Sequence, residues 1–194
     1  MREYITPPNL LTSGSLAAGF VSMLLIFQAH ILVAAGLIIL AAVFDVLDGP
    51  VARRMGTDSE FGTNLDSLAD LVSFGAAPAF ALYWSSLYAL PVVGLAACLG
   101  FFLCGAWRLA RFSLCKNPLY FVGFPIPAAG VLAAILAALG PHPFLALPVV
   151  LILSVLMVGT IPFPTISGCR NLKELFHVAE QDSQTANLRL RRRA

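Results

Sequence analysis

Residues 45–70 read DVLDGPVARRMGTDSEFGTNLDSLAD, and within them the pattern D-x2-D-G-x2-A-R-x8-G-x3-D-x3-D fixes four acids, Asp45, Asp48, Asp66 and Asp70. The chain around this stretch has 194 residues, of which 59% are hydrophobic and 11% charged. Soluble domains carry about 25% charged residues, so this composition indicates a membrane protein. A charged Asp at the centre of a membrane helix costs about 2.5–3.5 kcal/mol. Because a bound cation would offset that cost, the stretch predicts a metal site at a membrane surface.

The spacing of the acids favours two facing helical surfaces. At about 100° per residue, one face of a first helix carries Asp45, Asp48, Gly49 and Ala52. A stripe on a second helix carries Gly62, Asp66 and Asp70. Two helices that meet at these faces would bring the four carboxylates together. Ligands that are all oxygen favour Mg, Ca or Mn over Zn or Cu.

Small residues and one arginine accompany the acids. Gly49, Ala52 and Gly62 leave space for a ligand or for close backbone approach beside the carboxylates. Arg53 follows at the polar edge, where a guanidinium can bind a phosphate through two hydrogen bonds. Carboxylates, divalent metal ions and an arginine are the groups that phosphoryl transfer requires.

The hydrophobic segments predict an all-α membrane protein that forms a single domain over residues 1–194. Six segments of roughly 20 residues are each long enough to cross a hydrocarbon layer of about 30 Å. The predicted spans are 9–28, 30–53, 64–87, 89–112, 122–140 and 143–163, and a polar tail occupies 164–194. The carboxylates then lie at one end of the second and third spans.

Basic residues predict the orientation of these spans. With six spans, all twelve Lys and Arg fall on the side of the two termini, and the three opposite loops have none. They are Arg2, Arg53, Arg54, Arg108, Arg111, Lys116, Arg170, Lys173, Arg189, Arg191, Arg192 and Arg193. Positive residues mark the cytoplasmic side of a membrane protein. We therefore expect an integral protein of a prokaryotic plasma membrane, with both termini and the carboxylates cytoplasmic.

The pattern in 45–70 resembles the signature of the CDP-alcohol phosphotransferases at all eight fixed positions. These are six-span membrane enzymes that exchange the CMP of a CDP-linked donor for an alcohol. The segment PNLLT at 8–12 resembles the family's entry motif near the nucleotide. Three further segments resemble the branch that forms phosphatidylserine: LDSLADLVSFGAAPA at 65–79, RLARF at 108–112 and FVGFPIPAA at 121–129. One position departs, because Ser113 stands where this branch is expected to have Asn.

The resemblance implies a reaction and a set of roles. The donor would be CDP-diacylglycerol, the acceptor L-serine, and the cofactors two divalent cations, Mg or Mn. The implied metal ligands are Asp45, Asp48, Asp66 and Asp70, with Asp70 also the general base. The implied CDP-lipid site is Asn9, Thr12, Asp48, Gly49, Ala52, Arg53 and Gly62. The family also implies a homodimer, and no nucleic-acid partner is expected.

Serine brings a carboxylate that needs a fixed cation. Arg108 and Arg111 lie three residues apart near the end of the fourth span and share a helical face. One or both could bind the serine carboxylate, although an arginine at a span end also commonly reaches into the headgroup layer.

Three alternatives remain. The acceptor could be glycerol phosphate or inositol phosphate, although the segments in spans three to five favour serine. The donor could be an archaeal ether lipid, which these residues do not distinguish from diacylglycerol. An ion-coupled transporter is disfavoured, because the acids gather at one face and the chain has no internal repeat.

Overall fold

The computed structural model describes residues 6–57, 59–114, 121–159 and 162–163. Seven α-helices account for most of these residues. They are α1 (Pro7–Phe27), α2 (Ile31–Met55), α3 (Glu60–Asp70), α4 (Ala77–Ser85), α5 (Pro91–Leu114), α6 (Ile126–Leu139) and α7 (Pro143–Val158). A π-helical segment, Leu71–Ala76, joins α3 to α4, and a short 3-10 turn, Leu87–Ala89, precedes α5. All of these helices belong to one compact unit.

Four stretches of helix in the described part of the chain are long and apolar enough to cross a membrane: Pro7–Phe27, Ile31–Met55, Glu60–Ser85 and Pro91–Arg111. They correspond to the first four predicted spans, and the prediction of a helical membrane protein is confirmed to that extent. The last two apolar helices, α6 and α7, have 14 and 16 residues. At 1.5 Å per residue they measure about 21 and 24 Å, so the helices alone are shorter than a hydrocarbon layer.

Small residues form many of the contacts between helices, alongside a few large buried side chains such as Phe74 and Phe101. The buried face of α1 includes Ser15, Ala18, Gly19 and Ser22. The buried face of α6 consists of Ile126, Ala129, Gly130, Ala133, Ala134 and Ala137. Many large apolar side chains point outward instead, among them Leu32, Val92 and Val155. Lipid solvates such side chains well, so close backbone packing, rather than burial of large residues, holds membrane helices together.

The third span changes its winding directly after Asp70. Pro78, near the start of α4, has no backbone N–H for the carbonyl four residues earlier, at Phe74, and its ring crowds that carbonyl. The π-helical segment lies immediately before it. A Cβ atom built on Gly130 of α6 would lie 2.6 Å from the Phe74 carbonyl oxygen and 2.7 Å from its Cα. Gly130 therefore allows α6 to pack directly on the backbone of the π-helical segment.

A side-chain cap sets the start of the third span. Ser59 Oγ accepts a hydrogen bond of 3.0 Å from the Gly62 N–H, which is a standard way to satisfy the first turn of a helix. The helix consequently begins at Glu60, four residues before the predicted start at 64. Gly56 ends α2 in the left-handed conformation (φ 62°), so the two acid-bearing helices are joined by a short connection.

The other predicted boundaries differ by a few residues, and the predicted sixth span, 143–163, corresponds to a helix that ends at Val158. Two short strands, β1 (Phe121–Val122) and β2 (Pro162–Phe163), pair antiparallel in a separate compact unit. The predicted polar tail, 164–194, lies outside the described residues.

Candidate active site

Three carboxylates from two helices converge. Asp45 and Asp48 come from α2 and Asp66 from α3, and one oxygen of each lies within 4.8 Å of the others. Asp48 is buried, and Asp45 and Asp66 are half-buried. Asp66 Oδ1 is buried and has no hydrogen-bond partner among the described residues. A group of oxygen ligands with an unsatisfied carboxylate oxygen fits a hard divalent cation such as Mg²⁺ or Mn²⁺.

Asp70 lies beside this group and deeper in the protein. Its side chain is only 8% exposed. Its carboxyl group lies next to that of Asp45 and close enough to Arg108 of α5 for a direct electrostatic interaction. Asp70 is therefore positioned between the three other carboxylates and the buried guanidinium of Arg108.

A cavity of about 130 Å³ opens next to the carboxylates. Its lining includes six of the seven residues predicted to bind the CDP-lipid, Asn9, Thr12, Asp48, Gly49, Ala52 and Gly62, together with Asp66. The structure thus brings together residues from α1, α2 and α3 that are distant in sequence. Whether they bind a nucleotide stays a prediction.

Close contacts explain why small residues line this cavity. A Cβ on Gly62 would lie 3.0 Å from Asn9 Oδ1, so the glycine lets the start of α1 approach the start of α3. A Cβ on Gly49 would lie 3.4 Å from an Nη atom of Arg53. Arg53, the seventh predicted residue, therefore lies back over Gly49, one helical turn away, rather than in the wall of the cavity.

The two arginines of α5 have different environments. Arg108 is 9% exposed, and its Nε atom is buried without a hydrogen-bond partner in the described part of the chain. Arg111 is less buried and donates a 3.4 Å hydrogen bond from Nη1 to the carbonyl oxygen of Val158 at the end of α7. Arg108 is an electrostatic neighbour of Asp70.

Several lining residues lie outside the eight-position pattern and were not predicted. Thr57, Ser59 and Thr63 contribute to the cavity wall at the connection between α2 and α3. The serine before an acidic first turn is a recognisable helix start and could have indicated that this connection folds beside the acids. No local signal indicates Thr57.

The fold and this site together define a class of protein: a helical membrane protein with a group of carboxylates suited to a divalent cation. The model of the family "CDP-alcohol phosphatidyltransferase" matches residues 5–163. The chain belongs to that family, as the resemblance of residues 45–70 predicted.

Curated relatives are similar to this chain over most of its length. The CDP-diacylglycerol–serine O-phosphatidyltransferase of Helicobacter pylori (strain ATCC 700392 / 26695) is 37% identical over 178 residues, covering 86% of this chain and 75% of the relative. The protein of the same name from Bacillus subtilis (strain 168) is 36% identical over 163 residues, covering 81% and 89%. The archaetidylserine synthase of Methanothermobacter thermautotrophicus (strain ATCC 29096 / DSM 1053 / JCM 10044 / NBRC 100330 / Delta H) is 36% identical over 176 residues, covering 86% and 72%.

Proposed function

We propose that this protein transfers a phosphatidyl group from CDP-diacylglycerol to L-serine, which yields phosphatidylserine and CMP. The observation that carries the proposal is the group of carboxylate oxygens within 4.8 Å of one another beside a cavity. The relatives support the choice of acceptor, because the Helicobacter and Bacillus proteins are named for transfer to serine. The archaetidylserine synthase is also named for a product that contains serine, but its name indicates a different lipid.

Asp45, Asp48 and Asp66 would hold the metal, and Asp70 would complete the ligand set for a second ion. When bound, two divalent cations neutralise the pyrophosphate and the charge that develops on the leaving CMP. The unpartnered Asp66 Oδ1 supports this assignment, since a buried carboxylate oxygen is seldom left without a partner.

Asp70 is the proposed general base. It would accept the hydroxyl proton of serine while the serine oxygen forms a bond to the phosphorus of the phosphatidyl group. The bond between that phosphorus and the oxygen of CMP breaks in the same exchange. The neighbouring Arg108 supports this role, because its positive charge partly offsets the negative charge of the carboxylates around Asp70.

The cavity between α1, α2 and α3 is the proposed site for the CDP part of the donor. Asn9 and Thr63 place polar side chains in its wall, and Gly49, Ala52 and Gly62 leave space for the base and sugar. The guanidinium of Arg53, folded over Gly49, would supply positive charge for a phosphate.

Arg108 is the better candidate for the serine carboxylate. In serine, only two carbon atoms separate the hydroxyl oxygen from the carboxylate, so the cation that binds the carboxylate must lie near the general base. Arg108 is next to Asp70 and has a buried Nε without a partner among the described residues. Arg111 lies one turn nearer the end of the span and contacts Val158.

An acceptor panel tests the proposed reaction. Purified protein would be given labelled CDP-diacylglycerol with serine, glycerol phosphate or inositol phosphate, and the lipid product and CMP would be measured. We expect metal-dependent formation of phosphatidylserine and little product with the other two acceptors. A preference for either phosphorylated alcohol would refute the serine assignment. A parallel series with the CDP derivative of an archaeal ether lipid establishes which donor is used.

The membrane arrangement is part of the proposal: six spans, both termini cytoplasmic, in the plasma membrane of a prokaryote, and a homodimer. The absence of Lys and Arg from the three loops opposite the termini supports this orientation. Alkaline phosphatase fused after residue 141 should be active in the bacterial periplasm, whereas the same fusion after residue 194 should be inactive. The opposite result would reverse the orientation.

Chemical cross-linking of the purified protein tests the dimer.

A further inference from the structure

The hydroxyl group of Thr12 lies in the wall of the cavity but contacts a carboxylate. Its Oγ1 is 2.7 Å from Asp48 Oδ2 and 3.1 Å from the carbonyl oxygen of Pro8. The side chain is 4% exposed. A hydroxyl has one proton to donate, and an ionised carboxylate accepts the shorter and stronger bond. Thr12 therefore donates to Asp48, a residue 36 positions later in the chain.

The hydrogen bond from Thr12 restricts the orientation of the Asp48 carboxylate. Asp48 is one of the three residues whose oxygens lie within 4.8 Å of one another. With one of its oxygens held by Thr12, the carboxylate has a fixed rotation. Groups that orient a metal-binding side chain from outside the metal site commonly alter metal affinity by about ten- to a hundredfold when they are removed.

We propose that Thr12 is a positioning residue that acts through Asp48 to prepare the divalent-cation site, and that it does not bind the CDP-lipid directly. The proposal reassigns Thr12 from the lipid-binding role that the family resemblance implies. It rests on the proposed function, because it takes the carboxylate group to be the metal site of that reaction.

Burial and helix geometry support a positioning role. Thr12 is in the buried face of α1 with Asn9 and Ser15, and its Oγ1 already has two neighbouring oxygen atoms. A ligand phosphate oxygen would be a third acceptor for a hydroxyl with one proton.

Binding of Mn²⁺ to purified protein, measured by electron paramagnetic resonance without substrate, tests this role independently of turnover. Thr12→Val keeps the shape of the side chain and removes the donor, so Mn²⁺ affinity should fall about ten- to a hundredfold. Thr12→Ser keeps the donor and should bind Mn²⁺ as the wild type does. Ser13→Ala is the matched control, because the Ser13 hydroxyl donates its hydrogen bond to a backbone carbonyl oxygen, that of Asn9. If Thr12→Val is not recovered, Thr12→Ala removes the same donor.

The KM for CDP-diacylglycerol at saturating metal separates positioning from direct lipid binding. We expect it to be unchanged in Thr12→Val. In an Asp48→Asn background, Thr12→Val should cause no further loss of Mn²⁺ affinity, because the two residues act as one unit. Normal Mn²⁺ affinity with a raised KM for the lipid would overturn the proposal and return Thr12 to the lipid site. A wild-type protein that binds no Mn²⁺ would instead refute the metal site itself.

Discussion

At the scale of single residues, the position of Asp70 between Asp45 and Arg108 is the feature most closely tied to chemistry. A carboxyl group that is 8% exposed is protected from water, and its charged neighbours include both acids and an arginine. Such a group can accept a proton from a bound hydroxyl and release it after the exchange. This arrangement gives two predictions, one for Asp70 and one for Arg108.

Asp70→Asn should reduce kcat by at least about 10²- to 10⁴-fold, because an amide retains the shape of the side chain but cannot accept the proton. Binding of CDP-diacylglycerol should remain close to normal. Initial rates and lipid binding would be measured at saturating Mg²⁺, so that any weakening of metal binding is compensated. Glu60→Gln, a change at an exposed acid in the first turn of α3, is the control. Near-normal rates in Asp70→Asn would remove Asp70 from the role of base.

Arg108→Lys should raise the KM for serine about ten- to a hundredfold, with little change in the KM for CDP-diacylglycerol. Lysine keeps the charge but loses the planar, two-pronged contact, and a hydrogen bond between charged groups contributes about 1.5–3 kcal/mol. Serinol, which has no carboxylate, should be a poor acceptor for both proteins. Arg111→Lys should have a much smaller effect. The assignment fails if Arg111→Lys produces the larger change or if neither variant alters serine kinetics.

At the scale of helices, the sequence predicts the spans and the facing acids but not the π-helical segment. The first four spans follow from hydrophobic length, and the facing acids of α2 and α3 follow from helical spacing. The π-helical segment, Leu71–Ala76, does not follow, because Pro78 signals only that the helix is disturbed. The π-helical segment packs closely against Gly130 and Gly19, and this tertiary contact is not visible in the local sequence. Likewise, both arginines of α5 share a face, and only packing distinguishes Arg108 from Arg111 as the neighbour of Asp70.

Packing of α6 on the π-helical segment gives a prediction at this scale. Gly130→Ala would place a methyl group 2.6 Å from Phe74 Cβ and from its carbonyl oxygen, so the backbone must move. Inserting atoms into a packed core costs about 1–3 kcal/mol. The variant should therefore unfold at a temperature several degrees lower in detergent. Because Phe74 is four residues from Asp70, kcat should also fall. The matched control is Gly36→Ala in α2, since a Cβ there meets nothing within 4 Å. Equal stability of the two variants would contradict this account of the contact.

At the scale of the whole protein, the depth of the carboxylates determines what the site requires. Asp45 lies 14 residues after Ile31, the first residue of α2, which corresponds to about 21 Å along the helix. A cluster of aromatic rings lies near the C-terminal ends of α1 and α4. Its members are Phe27, Phe80, Trp84 and Tyr88. Trp and Tyr are enriched at membrane interfaces. If Ile31 and this cluster lie at one boundary of a layer of about 30 Å, Asp45 lies about 9 Å inside the other boundary.

Carboxylates at that depth repel one another in a medium of low polarity, and a cation that binds only the folded protein relieves the repulsion. Mg²⁺ or Mn²⁺ should therefore raise the unfolding temperature of the purified protein. A ligand at 100 times its Kd stabilises the folded state by about 2.7 kcal/mol. Asp66→Asn should make the metal-free protein more stable than the metal-free wild type, because it removes one charge from the group, and it should lose most of the response to metal.

Thermal unfolding in detergent, followed with and without a chelator, measures both effects in one experiment. Glu60→Gln removes one negative charge from the same helix but outside the carboxylate group, so it should keep the full response to metal and gain no stability in its absence. The same ordering should appear in activity: the wild type and Glu60→Gln recover when metal is returned, and Asp66→Asn does not. A wild-type protein whose unfolding temperature is indifferent to Mg²⁺ and Mn²⁺, and which turns over in chelator, would show that these acids are tolerated in the membrane without a cation.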